Sequence, residues 1–487
     1  MPDSRMGHDA SQKWKINMSY QTIDPSTGKL VETFPTLSDS ELETAVARAS
    51  DAFHEWRDLP IPERARILTA AAAKLRENAE RYAGLITLEM GKVAPQAIGE
   101  VHLSAAILDY YAKHAEAYLA PAEVPGAPDA TLLTLPLGAI LAIEPWNFPY
   151  YQVARVVGPQ LMVGNVVILK HAESVPQCAL AFAEVMEAAG APAGVFTNVF
   201  ASHDQVSRLI EDSRIAGVTV TGSERAGAAV AERAGRALKK TVMELGGSDP
   251  FIVLADADLE AAVGAALIGR MANTGQSCIA AKRIIVVGEG RGREFLELFQ
   301  TKLKGFQAGD PSDKATRLGP LSSERALEGL LKQIEEAREG GATVAQGGGR
   351  IDRPGFYLEP TVLTDITPEN PIYRQELFGP VASFYVVATD EEAIALANDS
   401  PYGLGASIQT GDLDRGKALA ARIDSGMVFI NQASWTAPHL PFGGVKNSGF
   451  GRELAEAGFG EFVNRKLIHA APPGSPPFGP LPAKAAA

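Results

Sequence analysis

Cysteine is scarce in this chain: 487 residues include only Cys178 and Cys278. Two thiols build neither a disulfide framework nor a four-ligand zinc spacing, which fits a reducing cytoplasm. Positive charge is also in short supply. Lysine and arginine total 45 against 58 acidic residues, a formal charge of −13, so neither nucleic acid nor an anionic membrane is an expected partner. No apolar run of about 18 residues is present to span a bilayer. The polar start, residues 1–15, lacks a secretory apolar segment. A chain that is 46% hydrophobic and 21% charged reads as globular and cytoplasmic, and its length calls for two or three domains.

What is present has a clear grammar. Ser38-Asp39-Ser40-Glu41 is a capping box, and Leu42, Val46, Ala49, Phe53 and Trp56 fall on one helical face. Pro62 opens a second helix running toward Gly91, and a third pattern covers Ala97 to Leu119. From Ala139 onward, strand, loop and helix alternate. Strand-like runs Ala139–Ile143, Val166–Leu169, Val195–Phe200, Val218–Thr221, Thr241–Glu244 and Phe251–Leu254 are separated by helical patterns such as Pro176–Ala189. That alternation predicts a parallel sheet with helices on its faces. A second set follows Cys278, beginning with Arg283–Val287. Two α/β units are expected, with a Pro- and Ala-rich tail, 471–487, left without structure.

Chemistry-bearing residues cluster at the ends of these runs. Asn273-Thr274-Gly275-Gln276-Ser277-Cys278 places a thiol behind a polar turn at a helix end, where a substrate can reach it. A free thiol is only about a few per cent thiolate at neutral pH, so as a nucleophile it needs local help. Pro145-Trp146-Asn147-Phe148-Pro149 sets an amide in a rigid turn after a strand, able to donate to an oxyanion. Glu244 ends a strand ahead of Leu245-Gly246-Gly247, where α/β sheets place functional groups. Thr221-Gly222-Ser223 leaves a strand and opens a helix; its N–H groups suit a phosphate or a plain N-cap. Lys170 and Glu173 are compatible with ribose hydroxyls or with surface charge.

Pro-Trp-Asn-Phe-Pro, Leu-Lys-x-x-Glu, Thr-Gly-Ser, Glu-Leu-Gly-Gly, Gly-Gln-Ser-Cys, Glu-Leu-Phe-Gly-Pro and Pro-Phe-Gly-Gly-Val-Lys-x-Ser-Gly occur in that order. Together they resemble the NAD(P)-dependent aldehyde dehydrogenase superfamily from about Ile23 to Ile468. The spacing from Glu244 to Cys278 matches that family as well. The resemblance implies two Rossmann-like doubly wound units, an NAD-binding one (16–123 and 138–246) and a catalytic one (247–452). It also implies a small β oligomerisation flap (124–137 and 453–470) and a homodimer or homotetramer. It implies that Cys278 attacks an aldehyde, that Asn147 holds the oxyanion, and that Glu244 activates the water that hydrolyses the thioester to a free acid. Trp146, Lys170, Glu173, Thr221, Gly222, Ser223, Leu245, Gly246, Glu376 and Phe378 would bind the dinucleotide. Glu173 would repel a 2′-phosphate, so NAD is expected ahead of NADP. His171 stands where the family more often has proline.

The substrate is a separate question. Arg155 lies about two helical turns after Asn147, facing the same pocket if the helix begins near Phe148. An arginine here resembles the bacterial succinate-semialdehyde dehydrogenases, where it holds the distal carboxylate. Ala272, however, replaces a second arginine found in better-studied members, and the Ser434–His439 loop is bulky, with Trp435 near the tunnel mouth. A medium-chain or aromatic aldehyde is the alternative, and a non-catalytic member of the fold a remote one. A thiol hydrolase lacks the histidine motif it would need beside Cys278.

Overall fold

The alternation that begins at Ala139 folds into a six-stranded sheet in the computed structural model, which describes residues 19–475. The strand order is Gly449–Phe450, Lys240–Glu244, Ile215–Thr221, Ala139–Glu144, Val166–His171 and Phe196–Asn198. All neighbours are parallel except the first pair. Strand Val166–His171 is buried at every position, as expected of a parallel strand covered on both faces. Ala139–Glu144 comes first of the parallel strands in sequence but lies inside the sheet. The chain goes to Val166–His171 on one side and returns to Ile215–Thr221 on the other. Such a reversal opens a crevice at the carboxyl ends of the strands, next to Glu144 and Thr221.

A seven-stranded sheet follows the order Thr343–Gln346, Thr361–Thr364, Val381–Val387, Ala281–Val287, Asp249–Val253, Gly405–Gln409 and Met427–Ile430. Helices Leu259–Met271 and Glu289–Leu303 cover one face, with Phe251, Val286, Phe295 and Phe384 in their core. Ala122–Val124, Ala127–Pro136 and Val463–His469 form a separate three-stranded antiparallel sheet, with Leu132 opposite Leu467.

Three local readings need correction. The helical stretch from Pro62 to Gly91 is two helices, Ile61–Glu77 and Ala79–Met90. Asn78 breaks it at φ −118°, ψ 28°, with its side-chain amide donating to the Lys74 carbonyl at 3.3 Å, the local competition that makes asparagine a poor helix interior residue. The third helix starts at Ala94, because Pro95 suits a first turn. Gly449–Phe450 falls within the span assigned to the catalytic unit, yet pairs with Met243–Glu244 of the other sheet. Only glycine permits that approach: Gly449 has φ +110°, and a Cβ would lie 1.9 Å from the Met243 carbonyl. Residues 1–15, and the tail beyond 475, lie outside the described residues; 471–475 contain neither helix nor strand.

Candidate active site

Helix Pro149–Val163 begins directly after Asn147-Phe148, and a buried ion pair holds that start in place. Lys92 is buried, pairs with Glu100 and donates to the Asn147 carbonyl at 2.9 Å. Its ammonium lies 3.7 Å from the Phe148 ring centroid. Glu100 in turn accepts from the free N–H groups of Tyr150 and Tyr151 at 2.9 and 3.2 Å, as a carboxylate at a helix N-terminus should. His171, fully buried, bolts the next strand to the same turn. Its ring Nε2 lies 2.9 Å from the Pro149 carbonyl, and its Nδ1 accepts from the Ala172 N–H at 2.9 Å. Burial drives its pKa down to about 4, so the ring is neutral near pH 7 and Nε2 donates.

The candidate nucleophile, Cys278, arrives on a strained loop. Asn273, Thr274 and Gly275 have φ of 54°, 54° and 75° in succession, a left-handed run that costs each non-glycine residue about 1–3 kcal/mol. Contacts on every side impose it. Gln96 accepts from the Asn273 N–H at 2.8 Å, the Asn273 amide donates to the Asn147 and Gln276 carbonyls, and Arg270 donates to the Gly275 and Gly379 carbonyls. Beyond the run, Gln276 accepts from the Ser322 N–H at 2.9 Å. Cys278 emerges half-buried into a cavity of about 270 Å³, shared with Trp146, Asn147, Thr221, Ser223, Glu376 and Phe378. Asn147 spends one amide hydrogen on the Gln276 carbonyl at 3.1 Å, which leaves the other for an oxyanion. Burial pushes the Cys278 thiol up to about 12, against the pull of Lys282 and Arg155. Cys178, by contrast, is sealed in the core.

The same cavity carries groups suited to part of a nucleotide. Gly222, Ser223, Leu245 and Gly246 line it at a strand end and helix start. Trp146 and Phe378 meet edge to face at 5.8 Å between centroids and form an aromatic wall of the cavity. Ser448 fixes the glycine turn by donating to the Gly246 carbonyl at 2.6 Å. Lys170 and Glu173 lie outside that lining, paired with each other at the end of the neighbouring strand, with His203 Nε2 3.8 Å from Glu173. The structure thus gathers Trp146, Asn147, Thr221, Gly222, Ser223, Leu245, Gly246, Cys278, Glu376 and Phe378, and leaves Lys170 and Glu173 outside that lining.

Glu244 and Arg155 sit differently from the sequence expectation. Glu244 is buried but does not line the cavity. Its Oε1 faces Gly443, where a Cβ would come within 2.8 Å, and neither carboxyl oxygen has a hydrogen-bond partner among the described residues. Burial, then the nearby Glu453, holds its pKa well above the usual carboxylate range. Arg155 does not open onto the cavity as a free cation. Its Nε lies 2.7 Å from Glu453 Oε2, Nη2 donates to Thr221 at 3.2 Å, and Nη1 reaches the Tyr151 hydroxyl at 3.4 Å. The guanidinium packs between the Tyr151 and Phe442 rings. Burial works against its charge, and Glu453 together with Tyr151, Glu244 and Glu144 more than offsets that. The physical reason is that a cation buried this deeply needs an internal anion. Trp435 is 43% exposed and leans on Phe429, while its neighbour Thr436 bonds the Tyr151 hydroxyl at 2.9 Å.

Lys92, Glu100, Gln152 and Lys282 were not expected at the site. Gln152 lines the cavity, its amide 3.4 Å from Asn147 Oδ1. Lys282, four residues after Cys278, donates to the Ser277 and Cys278 carbonyls at 2.8 and 2.7 Å. Its position beside the thiol was a signal available in the sequence. Among the described residues no helix is long and apolar enough to cross a membrane, and no cluster of three or more metal-ligating side chains occurs.

Comparison with known proteins identifies the family and the fold. The model of the aldehyde dehydrogenase family matches residues 13–468. A succinate-semialdehyde dehydrogenase [NADP(+)] of Deinococcus radiodurans is 50% identical over 93% of this chain and 95% of its own. A probable enzyme of the same name from Synechocystis is 48% identical over 93% and 99%. The crystal structure of succinic semialdehyde dehydrogenase from Streptococcus pyogenes, in complex with NADP+, superposes with a TM-score of 0.91 at 46% identity, covering 93% of this chain and 99% of that one. Fold, site and sequence agree: this chain belongs to the aldehyde dehydrogenase family.

Proposed function

We propose that this aldehyde dehydrogenase oxidises succinate semialdehyde to the free acid. The Cys278 thiolate adds to the aldehyde carbon, and the spare Asn147 amide hydrogen, with the Cys278 N–H, holds the resulting oxyanion. A nicotinamide dinucleotide held along Ser223, Gly246, Glu376 and Phe378 would supply the hydride acceptor. The thioester left on Cys278 is opened by water, whose proton goes to Glu244. For that step the Glu244 carboxyl turns from Gly443 toward the thiol, or a water joins the two.

The observation that carries the substrate assignment is the buried Arg155–Tyr151–Thr436 chain of polar contacts. It would offer a distal carboxylate two hydroxyls and, once Glu453 yields it, a cation, and the named activity of the relatives supports it. A charged hydrogen bond of this kind contributes roughly 1.5–3 kcal/mol, about ten- to a hundredfold in kcat/KM. The test is the ratio of kcat/KM for succinate semialdehyde over pentanal. It should fall by that factor in Arg155→Met and in Tyr151→Phe, the second of which leaves the Arg155–Glu453 pair intact. An unchanged ratio in both favours the second reading, a medium-chain or aromatic aldehyde. That reading draws on the engagement of Arg155 by Glu453 and on the exposed Trp435.

At the ribose end we infer a preference for NAD. Glu173 already takes up the charge of Lys170, and a 2′-phosphate would have to displace a carboxylate from that cation. The relatives named for NADP(+) set the opposite expectation. The ratio of kcat/KM for NAD over NADP should exceed one and fall in Glu173→Ser; a wild type that prefers NADP refutes the inference.

A further inference from the structure

Lys282 is a buried cation that touches the nucleophile's own peptide. A turn closed by the Ala280 N–H on the Ser277 carbonyl at 3.2 Å folds the chain back, so the first residues of strand Ala281–Val287 lie beside Cys278. The ammonium has three partners: the Ser277 carbonyl, the Cys278 carbonyl and Glu376 Oε1 at 3.0 Å. The same Glu376 oxygen accepts from the Gly247 N–H at 3.0 Å. Two glycines make this convergence possible. A Cβ at Gly247 would lie 2.4 Å from the Cys278 carbonyl, and one at Gly246 would lie 2.7 Å from Glu376 Oε2. The Lys282 side chain is 2% exposed and Glu376 18%, so water screens the pair only slightly.

Glu376 therefore reaches two things at once: the cavity it lines with Trp146, Ser223 and Phe378, and the cation beside the thiol. Carboxylates bind a sugar cis-diol through paired hydrogen bonds. A diol that draws the Glu376 carboxylate toward itself loosens this ion pair, leaving Lys282 to the two carbonyls and to Asp249 beyond ion-pair distance.

We propose that Lys282 is a positioning residue that links the ribose end of the cavity to the nucleophile, its charge favouring the Cys278 thiolate to the extent that Glu376 releases it. The proposal rests on the reading that Glu376 takes the ribose hydroxyls, but its first arms need no dinucleotide. Charged and titratable groups facing the thiol are Lys282 on its strand, Arg155 and Tyr151 on helix Pro149–Val163, Glu376, and Glu244. Lys282 and Arg155 favour the thiolate, while Glu376 and Glu244 oppose it. Asp249 faces Lys282 from the neighbouring strand.

The measurement is the rate of Cys278 alkylation by iodoacetamide against pH, with the adduct mapped by peptide mass spectrometry. The thiolate displaces iodide, so the rate follows the ionised fraction. Lys282→Gln should slow alkylation near pH 7.5 by about tenfold, one unit in apparent pKa, and Lys282→Arg should restore most of it. Glu376→Gln should speed alkylation in the native background and have little effect in Lys282→Gln, a non-additive cycle. Equal acceleration in both backgrounds would mean that Glu376 acts on the thiol directly and would overturn the proposal. So would an alkylation profile unmoved by Lys282→Gln. If that variant does not fold, failure of Glu376→Gln to speed alkylation is sufficient refutation. NAD added to the wild type should accelerate alkylation, and should add nothing in Glu376→Gln. Binding measured by NADH fluorescence separates loss of this coupling from loss of the cofactor site.

Discussion

A carboxyl that is to activate water must first lose its proton, and at Glu244 burial works against that loss. Its pKa is raised, so the base form appears only above the ordinary carboxylate range, and deacylation should rise with pH through that higher range. Glu244→Gln should remove the rise and leave an acyl group on Cys278, visible by rapid-quench mass spectrometry after mixing with aldehyde and dinucleotide. A burst of NADH without any adduct would contradict the role. Asn147 and Cys278 were legible as neighbours on one cavity because each sits at an element end inside a distinctive motif, whereas the placing of Glu244 off that cavity was not. Arg155 was legible as a residue but not as a contact, since Glu453 lies at the far end of the chain. Lys92 was not legible at all, and Lys282 only as a cation four residues past the thiol. A lysine in a sequence reads as surface charge, and only the fold brings Glu100 or Glu376 to it.

Among the elements, helix Pro149–Val163 does most to define the site: it follows Asn147 and carries Gln152 and Arg155. Its start depends on a charge pair contributed by the chain around helix Ala94–Tyr118. Lys92→Met would leave Glu100 buried without its cation, a loss of about 3–5 kcal/mol, read as a lower midpoint in urea. Replacing both, as in Lys92→Met with Glu100→Leu, should recover much of that stability. Catalysis should stay impaired, because the Asn147 carbonyl still lacks its ammonium contact. Full recovery of both properties would show the pair to be dispensable packing. Strand and helix positions here were readable from periodicity, while the break at Asn78 was not. A single residue decides it, and its amide competes with the helix only once the helix exists.

At the scale of the whole molecule, the three-stranded sheet presents Leu467 at 60% and Ile468 at 45% exposure on a strand with one unpaired edge. Exposed apolar edge strands invite pairing, so we expect this sheet to join subunits, as the family resemblance implies. Leu467→Asp should shift the light-scattering mass toward the single chain, and an unaltered mass would place the contact elsewhere. Two α/β units could be anticipated from alternation alone, but the crossing of Gly449–Phe450 into the other sheet could not, since two residues carry no periodicity. The left-handed run before Cys278 has a further consequence, for the order of assembly. Its contacts come from Gln96, 177 positions away, from Gly319, 45 positions off, and through Arg270 from Gly379, 109 positions from that arginine. Strain of this kind relaxes unless all of them are in place, so an excised fragment bearing Cys278 would hold the thiol in an ordinary turn. Competence belongs to the finished chain, and a half-made one carries a cysteine but no warhead.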